Sequence, residues 1–291
     1  MLSFLKKLLS PFFSSSQCKD SFRVQKNTGL IIGGSISGCY FTEEILPDVN
    51  LDTFVQLERR GPVLDFMKSI NYTFMPTAGQ LPTLDFMYDL LAARILSRGH
   101  IPLISFVCAG EYSGHTIVMV LNFWHDQSGR IVQVVLTKGM LVYTILQFHS
   151  TCVMNFILYG YAISLYPKAT FMSKRSAHSY NISSNGDMGT VNKYKAHGFI
   201  YEEKDVTQSP ELYFPRINHR IGDDFSWMID MRPEDGPERE NPLTMNMWRM
   251  MGCNTIDGFW IDAGIMHAGR LDESYSIAST VIYLVYPDTL M

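Results

Sequence analysis

The sequence predicts an α+β fold in which helices pack on an antiparallel sheet, followed by a second, mixed and β-rich domain. Of the 291 residues, 46% are hydrophobic and 18% are charged, which provides enough apolar material for a sizeable core. The apolar runs IPLISFVC, HTIVMVLNFW and RIVQVVLTKG are separated only by the short segments AGEYSG, which contains the turn EYSG, and HDQSG. Connections this short require antiparallel neighbours.

The N-terminus carries a basic amphipathic segment. Leu2, Leu5 and Leu9 share one helical face, and the first thirty residues contain five basic side chains and one acidic one. We interpret residues 1–28 as a leader that targets or exports the protein and that is able to contact a membrane surface. Five widely spaced cysteines without a C-x-x-C pair indicate a reducing, cytoplasmic compartment for the folded protein. The leader adds the hypothesis that the protein is exported into a host cell.

Residues 29–170 contain the elements of the first predicted domain. GLIIGG predicts a short strand, and CYFTEEIL predicts a helix with Ser37 as its N-cap and Pro47 as its stop. LDTFVQLERR fits a helix or a strand, whereas VLDFMKSI and TLDFMYDLLAARILSRG have the periodicity of helices. After the three strands, LVYTILQFHST predicts a helix and FILYGYAISLYP predicts a closing strand.

The uncharged stretch Met140–Pro167 is long enough to span a bilayer. Gln147, His149 and Asn155 interrupt it, and polar groups are costly in lipid, so a buried helix and strand are the favoured interpretation. From about residue 171 the composition becomes polar and then acidic, which indicates a second domain, residues 171–291, that binds a substrate or a partner. The net charge of -4 argues against a general nucleic-acid binder.

Cys39 and His115 form the candidate catalytic pair. Cys39 follows the predicted start of a helix, where backbone N–H groups stabilise a thiolate, and His115 opens a strand that is able to present a base to a thiol on a packed helix. Asp126 in the following turn, or Asn122 on the strand, would orient the imidazole. Scattered histidines predict no metal site.

These residues resemble the papain-like cysteine hydrolases, particularly the bacteriocin-leader-processing branch and bacterial effector proteases and deamidases. The likeness lies in Gly38-Cys39-Tyr40-Phe41 and in the run LLAARILSRGHIPLISFVCAGEYSGHTIVMVLNFWHDQSGR. It implies a papain-like fold and thiol-dependent amide hydrolysis of a protein substrate, without a cofactor. It also implies that the protein is a secreted virulence effector. The family usually places an Asp or Asn after the strand that follows the histidine. In this sequence that position falls at Thr137 or Lys138, neither of which is acidic. Backbone groups near Ser35, Ser37 and Gly38 would form the oxyanion hole.

Two other classes of function stay open. LIIGGSISG followed by a helix resembles the phosphate-binding turn of Rossmann-like enzymes that use FAD, NAD or S-adenosylmethionine, with Gly33, Ser35 and Gly38 at the phosphates and Glu58 at the ribose. Short connections between the later strands leave no room for a crossover helix. A non-enzymatic interaction or structural protein is the third class.

Overall fold

The computed structural model describes residues 2–46, 49–77, 80–84, 116–138, 140–177, 185–201, 213–214, 217–232, 246–252 and 259–265. Its helices are α1 (Leu2–Leu9), α2 (Ser15–Thr28), α3 (Gly34–Thr42), α4 (Arg60–Ser69), α5 (Leu141–Leu146) and α6 (Asn185–Ala196). Its strands are β1 (Ile31–Ile32), β2 (Leu51–Gln56), β3 (Thr73–Met75), β4 (Ile117–His125), β5 (Arg130–Thr137), β6 (Asn155–Leu158), β7 (Tyr161–Ser164), β8 (Arg175–Ser176), β9 (Ile200–Tyr201), β10 (His219–Arg220), β11 (Trp227–Asp230), β12 (Asn246–Gly252) and β13 (Phe259–Ile265).

Eight of these strands form one sheet in the order β11-β7-β6-β1-β2-β5-β4-β3. Every neighbouring pair is antiparallel except β2 and β5, which are parallel with Asp52 beside Gln133. The predicted α+β class is therefore confirmed, but the sheet is mixed rather than purely antiparallel. Two smaller sheets, β10-β12-β13 and β8-β9, accompany it.

Alternation along the strands divides the core into two layers. On β2, Leu51 and Val55 belong to the apolar cluster that contains the buried faces of α1, α3 and α4, while Phe54 belongs to the cluster that contains α5. Successive side chains of a strand point to opposite faces, so the sheet is covered on both sides. The position of any strand residue therefore tells which layer it faces.

The N-terminal segment packs into the first layer. Leu5, Leu8 and Leu9 are buried, and α1 packs against α3. A capping box at Ser14 and Gln17 begins α2 by satisfying backbone N–H groups that have no partner within the helix. The apolar face that the sequence suggested for membrane insertion is thus occupied by the protein's own core.

Residues on both sides of the expected boundary near 170 share the sheet and the second layer. β11 pairs with β7, and Trp248 and Met250 lie in the same apolar cluster as Phe54 and Leu141. Several of the described residues after 170 therefore pack into the same core as the preceding part.

Several predicted elements are confirmed and one is corrected. The strands at β4 and β5 and the helices at α4 and α5 occur as the periodicity predicts. FILYGYAISLYP is a hairpin of β6 and β7 rather than one strand, because Gly160 adopts φ 86° in the turn. Within the described ranges, no helix combines the length and apolar character needed to cross a bilayer. The predicted helix at 83–99 and strand at 101–108 lie almost entirely outside the described residues.

Candidate functional site

A glycine turn joins β1 directly to α3. Gly33 is the extended N-cap residue and Gly34, the first helical residue, has φ +60°. The Gly33 N–H donates to the carbonyl oxygen of Asp52 at 2.9 Å, which ties the turn to the neighbouring strand β2. The helix therefore begins at Gly34, and the prediction that Ser37 caps it is wrong.

This earlier start changes the surroundings of Cys39. The thiol lies in the middle of α3 rather than in its first turn, and 4% of the residue is exposed. Burial raises the pKa of Cys39 above its ordinary value, and the negative charge of Glu44 raises it further, against the lowering effect of backbone hydrogen bonding at Leu46. These surroundings favour the neutral thiol, whereas a nucleophile needs the thiolate.

The other residues of the predicted catalytic group are not brought together with Cys39 in the described part. His115 lies outside the described residues. Asp126 is exposed in the turn between β4 and β5, and Asn122 is engaged by the Gln133 side chain, whose Nε2 donates to Asn122 Oδ1 at 2.9 Å.

The expected oxyanion loop is helical. The buried hydroxyl of Ser37 lies 2.7 Å from the carbonyl oxygen of Gly34 and 2.9 Å from that of Asn155, so it joins α3 to β6. Gly38 is an interior helical residue with open space where a Cβ would stand. Ser35 follows Gly34 in the first turn of α3, where it remains close to the glycine turn.

The Rossmann-like arrangement does not fit the strand directions. β1 and β2 are antiparallel, so the glycine turn lies beside the start of β2 at Asp52. Glu58 follows the opposite end of β2, roughly 20 Å along the chain at about 3.3 Å per residue, and it is exposed. Glu58 therefore cannot meet a ribose whose phosphates lie on the glycine turn.

Asp52 lies against the glycine turn instead. A Cβ built on Gly34 would stand 2.0 Å from Asp52 Oδ2, and one built on Gly33 would stand 2.7 Å from the Phe54 ring. Only glycine leaves room for these two side chains. The two glycines thus bring the carboxylate of a neighbouring strand to the N-terminus of α3.

A row of polar side chains continues from Asp52 across three strands. Asp52 on β2 pairs with Gln133 on β5, and Gln133 pairs with Asn122 on β4. All three are half-buried, and they share the sheet face that carries Phe54 farther along β2. With neighbouring strands about 4.8 Å apart, the row extends about 10 Å from the glycine turn. We call Asp52, Gln133 and Asn122 the polar row.

No family model, curated protein or solved structure matches this chain.

The site's chemistry follows from its own groups. The N-terminus of a helix carries partial positive charge and attracts anions, while Asp52 offers negative oxygens to a cation. The amides of Gln133 and Asn122 supply donors and acceptors. Among the residues that the structure describes, no three histidine, cysteine or acidic side chains cluster as metal ligands, and the polar row contains one carboxylate. A cation held here would need further ligands from a bound molecule.

Sequence reasoning missed Asp52 and Gln133. The signal that was available is an acidic and an amide side chain inside otherwise apolar strands, LDTFVQ and RIVQVVLT, with the first strand following a glycine turn. Their meeting depends on the parallel pairing of β2 with β5, two strands separated by more than seventy residues in the chain. No local pattern predicts that pairing.

Proposed function

We propose that this protein binds a phosphate-bearing ligand of the nucleotide class, together with a divalent cation, at the glycine turn and the polar row. The observation that carries the proposal is the meeting of the Asp52 carboxylate with the N-terminus of α3 across Gly34. The proposal keeps the nucleotide ligand of the Rossmann-like alternative but discards its fold and the role of Glu58.

A phosphate at this position would be helped by a cation. A phosphate approaching the N-terminus of α3 gains from the helix dipole and the backbone N–H groups but is repelled by the adjacent carboxylate. A divalent cation between Asp52 and the phosphate oxygens converts that repulsion into attraction. Mg²⁺ is usually held in this way, by one or two carboxylates, the phosphates of the ligand and several waters.

The polar row fits the remainder of such a ligand. Gln133 and Asn122 follow Asp52 away from the turn, and their amides are suited to hydroxyl groups or to the edge of a base. Trp124 occupies the same face of β4 two residues after Asn122 and is half-buried, so it offers an aromatic surface beyond the amides. A sugar phosphate without a base would leave this surface unused.

The number of carboxylates favours binding over phosphoryl transfer by two metal ions. Two-metal sites clamp the attacking and leaving oxygens with ions about 4 Å apart, and those ions need several anionic ligands. The polar row supplies one such ligand, Asp52. Binding of one cation with its ligand is therefore the activity that we propose.

Thermal unfolding of the full chain tests the proposal. We expect ATP with Mg²⁺ to raise the melting temperature, since a ligand at one hundred times its Kd adds about 2.7 kcal/mol. ATP with EDTA, or Mg²⁺ alone, should give a much smaller shift. Asp52→Asn should abolish the Mg²⁺-dependent part of the shift.

Asp126→Asn is the matched control, because it removes an acid of equal charge from the exposed turn between β4 and β5. It should leave the ATP response unchanged. Gln133→Ala provides a second variant if Asp52→Asn fails to fold. An equal shift with and without Mg²⁺, or a full response in folded Asp52→Asn, would overturn the proposal.

Thiol-dependent hydrolysis by Cys39 and His115 remains a separate prediction. It requires the papain-like arrangement and a second, substrate-binding domain, and its base lies outside the described residues. The burial of Cys39 and its raised pKa do not favour it. The labelling experiment in the Discussion separates it from nucleotide binding, because the two use different side chains.

A further inference from the structure

The outer surface of α1 and α2 is strongly basic. We call its five exposed cations the basic face: Lys6, Lys7, Lys19, Arg23 and Lys26. The three cations of α2 follow the spacing i, i+4 and i+7, so they form one stripe along the helix.

The cations belong to two helices that are in contact. α1 packs against α2, so the exposed lysines of α1 and the stripe on α2 lie on neighbouring helices. The one acid within α1 and α2, Asp20, is paired with Arg23 at 2.7 Å. With five basic side chains and one acidic one, these two helices carry a net charge of +4, although the whole chain carries a net charge of -4.

The apolar sides of these helices are not available to a partner. Leu5, Leu8 and Leu9 lie in the core, so α1 cannot insert its apolar face into a bilayer. What α1 and α2 offer to a partner is an outward surface of exposed cations on helices that are packed against the core. A partner therefore binds this surface mainly through charge.

Two exposed apolar side chains lie at the ends of the basic face. Leu2 is 39% exposed in the first turn of α1, and Tyr159 is 44% exposed in the β6–β7 turn. The ammonium group of Lys26 lies 5.5 Å from the centre of the Tyr159 ring, which attaches this aromatic residue to the stripe. Tyrosine beside lysine is typical of the water–lipid interface, where one end of the ring is apolar and the other hydrated.

We propose that the basic face docks the protein on an anionic membrane surface. Clusters of four to eight basic residues on a helical surface bind anionic headgroups, and flanking Leu and Tyr side chains add shallow apolar contacts. Leu2 favours lipid over a nucleic acid, because a phosphodiester backbone offers it no apolar partner. Since Leu5, Leu8 and Leu9 are buried, the attachment is peripheral and depends on ionic strength.

Co-sedimentation of the full chain with large unilamellar vesicles tests this docking. We expect binding to vesicles of 70% phosphatidylcholine and 30% phosphatidylserine at low salt, and none to pure phosphatidylcholine. The triple variant Lys19→Gln, Arg23→Gln, Lys26→Gln should lower the partition coefficient by about a hundredfold, since each cation contributes roughly a fivefold factor. Leu2→Gln should weaken vesicle binding by a few-fold.

The control variant removes three exposed lysines outside α1 and α2 and is Lys138→Gln, Lys174→Gln, Lys193→Gln. It changes the net charge equally and should bind vesicles like the parent chain. Equal losses in both triple variants would show unspecific attraction and overturn the proposal. The proposal would also be overturned if the protein did not bind the anionic vesicles. The same holds if it bound single-stranded RNA more tightly than these vesicles and Leu2→Gln had no effect.

Discussion

Asp52 approaches the backbone of Gly34 so closely that no side chain fits at position 34. A methyl group there would stand 2.0 Å from Oδ2 and would need φ +60°, a conformation that is unfavourable for residues with a Cβ. We expect Gly34→Ala to lower the free energy of unfolding by about 2–4 kcal/mol, from backbone strain and overpacking together. Urea unfolding followed by circular dichroism measures this loss.

Gly38→Ala is the matched control in the same helix. Gly38 has open space where its Cβ would stand, and alanine favours a helix interior over glycine by about 0.5–1 kcal/mol. This variant should therefore be slightly more stable than the parent. A similar loss of stability in both variants would contradict the role that we give to the Asp52 contact.

The buried thiol of Cys39 should react slowly. Burial raises its pKa above the ordinary 9.0, so less thiolate exists at pH 8 than in the unfolded chain, and reactivity should rise only as the pH passes above about 9. We expect iodoacetamide to label Cys39 at least tenfold more slowly in the folded protein than in urea. Peptide mass spectrometry assigns the modified cysteine.

The opposite outcome would support the thiol-hydrolase prediction. Faster labelling of Cys39 in the folded protein at pH 7, lost on His115→Ala, would require an activated thiolate and a neighbouring base. The Cys39→Ala variant is the control. If the same fast labelling persisted in it, the reactive cysteine would be a different one. Nucleotide binding at Asp52 would be unaffected by either result.

The wrong helix start has a physical origin in the glycines before Cys39. Glycine is a poor helix former, so propensity alone begins the helix after Gly38. In the folded protein, burial of Ile36 and Tyr40 and the contact of the Ser37 hydroxyl with Asn155 extend the helix back to Gly34. Tertiary packing therefore decided a boundary that local sequence could not.

At the scale of elements, the sequence predicted where strands and helices form better than it predicted what those elements contact. β4 and β5 are recognisable because each is a mainly apolar run and a four-residue turn joins them. α1 was also recognisable as an amphipathic helix, but amphipathicity does not distinguish a face that meets lipid from one that meets the protein core. Only the structure shows that α1 packs on α3.

Truncation of Leu9 tests whether α1 belongs to the core. Leu9 is completely buried, and removing a buried leucine side chain typically costs 2–5 kcal/mol. We expect Leu9→Ala to lower the free energy of unfolding by about 3 kcal/mol in urea titrations, whereas Leu2→Ala at the 39% exposed first position should change it by less than about 0.5 kcal/mol. Equal, small effects would indicate a detached leader.

At the scale of the whole molecule, contacts in the core cross the boundary that composition suggested. The acidic, polar sequence after residue 170 differs from the apolar sequence before it. Yet β11 extends the sheet through β7, and Trp248 packs with Tyr166 from before that boundary. Composition reports solvent exposure averaged over a segment, whereas a shared core depends on a few long-range contacts. The described parts should therefore unfold together.

Trp248 provides the test of this cooperativity. It is 1% exposed, its Nε1 donates to the Tyr166 hydroxyl at 3.0 Å, and its ring stacks on His219 with 5.5 Å between centroids. Trp248→Phe removes the donor and some packing volume, so we expect a loss of about 2 kcal/mol. Because Tyr166 and Trp248 belong to one core, the loss should appear in a single transition.

Trp227→Phe is the matched substitution at the sheet edge, where the side chain is 39% exposed, and it should cost less than about 1 kcal/mol. Urea unfolding of both variants should be followed by far-ultraviolet circular dichroism and by hydrogen exchange of the amides in β5 and β7. In one cooperative unit, Trp248→Phe accelerates exchange in both strands by the same free energy. If exchange in β5 kept its parent rate while the region after residue 170 unfolded first, the sequence boundary would mark two separately stable domains after all.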